Sequence, residues 1–287
     1  MNRITETDLI LNPDGSVYHL NLLPEDIASN IITVGDPDRV GEVSKHFDSL
    51  ELKKGKREFI THTGYLGKQR ISVVSTGIGT DNIDIVLNEL DALVNIDLAS
   101  RQVKEQPTSL NIIRIGTSGA IQSDIPIDSI LVSEYALGLD ALMGYYQYKE
   151  TGEEKDLLTA LKNQVPELQC LNPYFTHAGN DLLNILGKDL QKGITMTAPG
   201  FYAPQGRKLR YQSKIDELIS KLNTFSHHNN RITNLEMETA GIYALANIFG
   251  HQAISVNAIL ASRVKLEFSK NSQKVIDKAI KMVLERI

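Results

Sequence analysis

Cysteine is nearly missing from this chain. Cys170 is the only one in 287 residues. That rules out an intrachain disulfide and a cysteine-based metal cluster, and it favours a reducing, cytoplasmic location. Long apolar runs are missing as well. Nothing approaches the roughly 20 residues needed to cross a bilayer, and the opening "MNRITETDLILNPDGS" lacks the apolar core of a signal peptide. The expectation is therefore no membrane partner. Positive charge is not in excess, because the formal net charge is -5, so nucleic acid is not an expected partner either. A small anion is still compatible. Charge is screened over roughly 8 Å at physiological salt, so a few local arginines can outweigh the global sign.

Several signatures are also absent. No HExxH pattern appears, and no GxSxG elbow. His227 and His228 lie in the polar segment "SHHNNR" and read as solvated rather than as metal ligands. "TGIGTDN" (76–82) is a near miss for a dinucleotide fingerprint, with Asn82 where the third glycine would stand. No internal repeat, low-complexity tract or clean linker divides the chain, so one domain over 1–287 is expected.

What is present alternates. "NIITVGD" (30–36), "RISVVSTG" (70–77), "NIIRIGTSG" (111–119), "SILVSEYALG" (129–138), "GITMTAPG" (193–200) and "QAISVNAILAS" (252–262) are short and near-continuously apolar. Such runs suit central strands covered on both faces. Helical spacing marks 81–96, 214–225 and 272–287, and also the stretch after Glu238. Strands alternating with helices predict an α/β sandwich. The polar stretch 150–180 reads as a surface excursion.

The strands end in glycine and small polar residues, which is where ligands bind in open α/β sheets. In "GDPDR" (35–39), Gly35 lets a ligand approach the backbone and Arg39 offers a fork suited to phosphate; the alternative is a turn with a surface arginine. In "RIGTSGA", Arg114 sits among isoleucines and must have an anionic or polar partner. Thr117 and Gly119 follow, so an oxyanion cradle and a structural Arg–carboxylate pair are both open. "FYAPQGR" (201–207) combines an aromatic ring, the donor and acceptor of Gln205 and the donors of Arg207, a set that fits the edge of a planar base. In "EMETAG", a carboxylate can accept from both hydroxyls of a diol, with Met237 as an apolar floor. Glu238 could instead serve the helix dipole, and Glu236 could pair with an arginine.

Taken in order, "HLNL", "GDPDR", "REF", "STGIG", "RIGTSGAIQ", "FYAPQGR" and "EMETAGIYALA" resemble the nucleoside phosphorylase family, and within it the uridine-cleaving branch. The resemblance runs from His19 to Arg263. It implies a three-layer α/β/α sandwich with a mixed, partly barrel-like central sheet. It also implies phosphorolysis of uridine to uracil and ribose 1-phosphate, with inorganic phosphate as co-substrate and no required cofactor. By motif, Gly35, Arg39, Arg114 and Thr117 would hold phosphate, and Arg57 would reach it from a neighbouring subunit. Glu238 and Met237 would meet the ribose, and His19 would reach its 5′-hydroxyl across the interface. Phe201, Gln205, Arg207 and Arg263 would take the base. The active unit would then be a homodimer or a hexamer of dimers.

Purine-cleaving relatives carry an aspartate after the last strand, where this chain reads "ILASRV". A purine phosphorylase or nucleosidase on the same scaffold, and a non-catalytic nucleoside sensor, are the competing readings. Some relatives hold an interface potassium ion at positions matching Glu58, Ile78 and Asn82, but here "STGIGTDN" replaces the usual glycine-proline-serine turn. Residues 97–110 and 145–180 look longer than in compact relatives, with scope to change the assembly or to cover the pocket.

Overall fold

Strand-forming and helix-forming runs alternate along the chain, and the backbone follows them. The structure is a computed structural model describing residues 3–287. In the first half, β1 (Asn30–Val34) and α1 (Pro37–Ser44) lead into β2 (Ser49–Lys56), β3 (Phe59–Leu66) and β4 (Gln69–Ser75). Helix α2 (Thr80–Asn95), a small ribbon of β5 (Ile96–Asp97) and β6 (Gln102–Val103), then β7 (Asn111–Ala120) and β8 (Ile130–Gly138) complete it. The second half runs through α3 (Gly152–Gln164), β9 (Tyr174–His177), α4 (Asn180–Leu186), β10 (Gln191–Thr197), α5 (Leu218–Thr224) and β11 (Ser226–His227). It ends with β12 (Asn230–Glu236), α6 (Thr239–Phe249), β13 (Gln252–Ser262), β14 (Glu267–Phe268) and α7 (Ser272–Arg286).

Five strands close into a barrel. β7 runs parallel to β13, β13 antiparallel to β8, and β8 parallel to β10. β10 is parallel to β12, and β12 returns antiparallel to β7. From β7 an open arm extends through β1, β4, β3 and β2. Helices α2 and α6 pack as one pair and α4 and α7 as another against this sheet, giving the expected α/β layering around a partly barrel-like centre. The main core joins the isoleucines and valines of β1, β4 and β7 to the apolar faces of α2, α6 and α7. All six runs read as strands are strands.

Three segments differ from expectation. Residues 150–180 are not a loose excursion. Thr151 accepts from the Glu154 N–H and Glu154 reaches back to the Thr151 N–H, a capping box that starts α3. β9 then adds antiparallel to β8. Helix α5 starts only at Leu218, because Glu217 takes a left-handed φ of 54° that a helix cannot continue through. Strand β2, "SLELKKGK", was not legible as a strand because it is largely exposed. Among the described residues, no helix is long and apolar enough to cross a membrane.

Candidate active site

Strand β7 divides its partners. Along one edge β13 follows it from Asn111 to Ala120. Along the other, β1 pairs only as far as Arg114, and β12 takes over at Gly119 and Ala120. Neither register covers Ile115 to Ser118. Divergence of neighbouring strands at their carboxyl ends opens a crevice. A cavity of about 760 Å³ lies there, with Arg114, Gly116, Thr117 and Ser118 in its wall.

Arg114 is buried on the inner face of β7. Its Nη2 donates to Glu238 at 2.6 Å and lies 2.9 Å from a Glu236 oxygen. Its Nη1 donates to Ser255 at 3.3 Å and to Asn257 at 3.2 Å. The guanidinium folds over Gly116, where an added Cβ would stand 1.8 Å from Nη1. Glycine is therefore a steric requirement here. Burial works against the charge on Arg114, but Glu236 and Glu238 reverse that and hold its pKa above the ordinary value.

The two glutamates have separate partners. Glu236 accepts from the N–H groups of Glu238 and Thr239 and from the Thr197 hydroxyl, so it caps α6. Glu238 makes no side-chain cap bond. Its other oxygen accepts from the Gly79 N–H at 2.9 Å, across 159 residues of sequence. Gly79 has a φ of 95°, a conformation glycine adopts without strain. Burial raises the Glu238 pKa, with Glu236 adding to it and Arg114 opposing. Glu238 and the half-buried Met237 both line the cavity.

Gly35 and Arg39 line it from the end of β1 and the first turn of α1. Burial lowers the Arg39 pKa, Asp36 pulls it back up and Arg114 lowers it again. Two cations facing the same hollow repel, and an anion between them would relieve that. Phe201, Gln205 and Arg207, in and beside the short turn at Ala203–Gln205, also line the cavity. Arg207 donates to the Gln205 Oε1 at 2.6 Å, and its guanidinium lies 3.6 Å from the centre of the Phe201 ring. Burial lowers the Arg207 pKa, and the neighbouring Arg263 adds to that.

Three expected residues are not in the cavity wall. Arg263 stands behind it, donating to the Gln205 backbone carbonyl at 2.9 Å. His19 is bound by Glu89, Nδ1 to Oε1 at 2.6 Å, with its backbone N–H on the same carboxylate. Arg57 is exposed in the turn after β2, with a φ of 57°. Glu58, Ile78 and Asn82 do line the cavity together, and Asn82 Nδ2 donates to the Ile78 carbonyl at 3.3 Å. Residues 97–110 and 145–180 contribute nothing to the wall, so neither covers this pocket.

Reading the sequence missed Ser118 and the apolar wall of Leu235, Leu260, Ala261 and Phe268. Ser118 lay inside a motif already noted, so its type and place were available. Phe268 gave no signal, because β14 is a two-residue strand brought back onto Ala261 only by the fold.

Charged side chains are gathered in a hollow of this size when a polar small molecule is to enter it, and the fold class is one that places such a site at its strand ends. Residues 30–287 match the Phosphorylase superfamily, and the chain belongs to that family. It is 32% identical over 279 residues to the uridine phosphorylase of Thermococcus kodakarensis, covering 95% of this chain and 88% of that one. A solved Trypanosoma brucei nucleoside phosphorylase, described as showing uridine phosphorylase activity, matches with a TM-score of 0.89 at 28% identity, over 97% of this chain and 99% of the other. Purine relatives are present too: a DeoD-type purine nucleoside phosphorylase of Caldanaerobacter subterraneus is 27% identical over 93% of this chain and 98% of its own length.

Proposed function

We propose that this chain catalyses the phosphorolysis of uridine. The observation that carries the reading is the layout of one cavity. Arg39 and Arg114 feel each other's charge in its wall, Gln205 and Arg207 are hydrogen-bonded to one another there, and Glu238 and Met237 line it as well. Phosphate meets the first pair, together with Thr117 and the Gly35 backbone. The ribose diol donates to Glu238, and the uracil edge meets Gln205 and Arg207. Phosphate oxygen attacks C1′ while the C1′–N1 bond breaks, and the bonding pair leaves with the uracil. Arg207 stabilises that charge as it grows, backed by Arg263, and such differential stabilisation is what lowers a barrier. Uracil is acidic enough to leave without a general acid, and takes its proton from water.

The named relatives support this reading, and the absence of aspartate after β13, in "ILASRV", argues for pyrimidine over purine. The test is turnover of uridine, thymidine and inosine at saturating phosphate. Uridine is expected to be the best of the three. Preference for inosine would contradict the roles given to Gln205 and Arg207.

His19 and Arg57 fit the reading only as contributions to a neighbouring subunit's site, so the active unit is at least a dimer. No cofactor is needed beyond phosphate as co-substrate. A potassium ion on Glu58, Ile78 and Asn82 would need the Asn82 amide turned to present its oxygen, since its nitrogen now faces the Ile78 carbonyl. The single free cysteine, Cys170, supports a cytoplasmic location.

A further inference from the structure

The inside of the barrel is polar, and its polar groups form one connected path. Arg114 Nη1 donates to Asn257 Oδ1 at 3.2 Å. Asn257 Nδ2 donates to Ser133 Oγ at 3.0 Å, and the Ser133 hydroxyl lies 2.5 Å from that of Thr195. Thr195 donates to Asn234 Oδ1 at 2.9 Å, and Asn234 Nδ2 donates to Ser118 Oγ at 3.0 Å. The six residues come from all five barrel strands, with β7 supplying both ends. Arg114 and Ser118 are each under a tenth exposed, and Ser133, Thr195, Asn234 and Asn257 are fully buried. Both ends line the cavity.

Chemistry fixes the direction of this path. A guanidinium only donates, so the oxygen of Asn257 must face it and the amide nitrogen must face Ser133. Every later group then accepts on one side and donates on the other. The path ends on Ser118, whose own proton is left for the cavity. Buried polar groups are costly when unpaired, and a fully satisfied network holds one geometry. The register explains why Asn257 is the contact point: it stands opposite Gly116, the residue over which the Arg114 guanidinium folds.

We propose that Asn257 is a positioning residue for phosphate binding. It touches no ligand. With Glu236 and Glu238 it sets the angle of the Arg114 guanidinium. Apart from its long contact with Ser255, Nη1 has no other acceptor, so removing the Asn257 oxygen frees the guanidinium to tilt. The inference rests on the reading that Arg114 meets phosphate.

The test compares Asn257→Leu, which keeps the branching of the side chain but makes no hydrogen bond, with Thr195→Val, which cuts the path away from Arg114. KM for phosphate, KM for uridine and Tm are measured for both, beside the wild type. Asn257→Leu is expected to raise the phosphate KM at least fivefold with the uridine KM within twofold of wild type. Thr195→Val is expected to lower Tm while leaving the phosphate KM within twofold. If Asn257→Leu does not fold, Asn257→Ser is expected to raise the phosphate KM in the same direction by at least twofold. A wild-type phosphate KM in the folded Asn257 variant, or parallel rises in both variants that track loss of Tm, would overturn the positioning role alone. Wild-type turnover that ignored phosphate would overturn the proposed reaction as well.

Discussion

Glu238 carries the clearest consequence at the scale of single residues. Its folded pKa lies above the ordinary glutamate value, because burial penalises the charged form more than Arg114 favours it. A carboxylate must be ionised to accept from both hydroxyls of a diol. Uridine binding should therefore weaken as pH falls, with an inflection above the ordinary glutamate range of about 4.3. The check is kcat/KM for uridine against pH at saturating phosphate, which reports groups of the phosphate-loaded enzyme and of free uridine. Glu238→Gln should raise the uridine KM and lose that inflection; an unchanged acid limb in the variant would assign the inflection elsewhere. At this scale most of the site was legible. Paired glutamates before a helix, and an arginine inside an apolar strand, are anomalies that demand partners. The Arg–carboxylate pair that the sequence left open is present, with Arg114 meeting both Glu236 and Glu238. The bond from Gly79 to Glu238 was not legible, because it joins residues 159 apart.

At the scale of elements, Glu154 joins three pieces of chain. It closes the capping box of α3 and accepts from Tyr148 at 2.6 Å, and His177 at the end of β9 lies 2.7 Å away. The hydrogen bond to Glu154 raises the His177 pKa against the pull of burial. Burial alone would raise the Glu154 pKa, but its partners His177, Tyr148 and the Thr151 N–H bring it below the ordinary value. The histidine's contribution is therefore full below its unfolded value of about 6.5 and is lost as pH rises through the higher folded value. The glutamate's contribution is present above about 4.3 and is lost as pH falls through its lowered folded value. Amide protection of β8 and β9 should thus be greatest from roughly pH 4.5 to 6.5 and weaken above that window. Hydrogen exchange, corrected for intrinsic rates, checks this; flat protection to pH 9 would contradict it. The central strands were legible because each is a short, near-continuous apolar run. Strands β9 and β12 were not, since β9 has four residues and β12 is interrupted by Thr233 and Asn234, which point into a polar barrel.

For the whole molecule, the proposed roles of His19 and Arg57 predict an active unit of more than one copy of the chain. His19 and Arg57 lie outside the cavity of their own subunit, and under the proposed function they would act on that of another. Mixing two inactive variants tests this. Arg57→Ala and Arg207→Ala, denatured together and refolded, should regain activity, because some mixed interfaces hold one intact site. No recovery in mixed oligomers of demonstrated composition would contradict action of Arg57 across the interface. The layering and the family resemblance were legible from motif order. The barrel-like centre came with that resemblance, while the strand pair that closes it was not legible, because β12 meets β7 at Gly119 and Ala120 alone.

The central claim is that phosphate is the attacking group. The direct measurement is release of uracil from uridine with and without inorganic phosphate, with ribose 1-phosphate quantified alongside. The account predicts release only with phosphate, and one ribose 1-phosphate for each uracil. Equal release without phosphate, yielding free ribose, would contradict it.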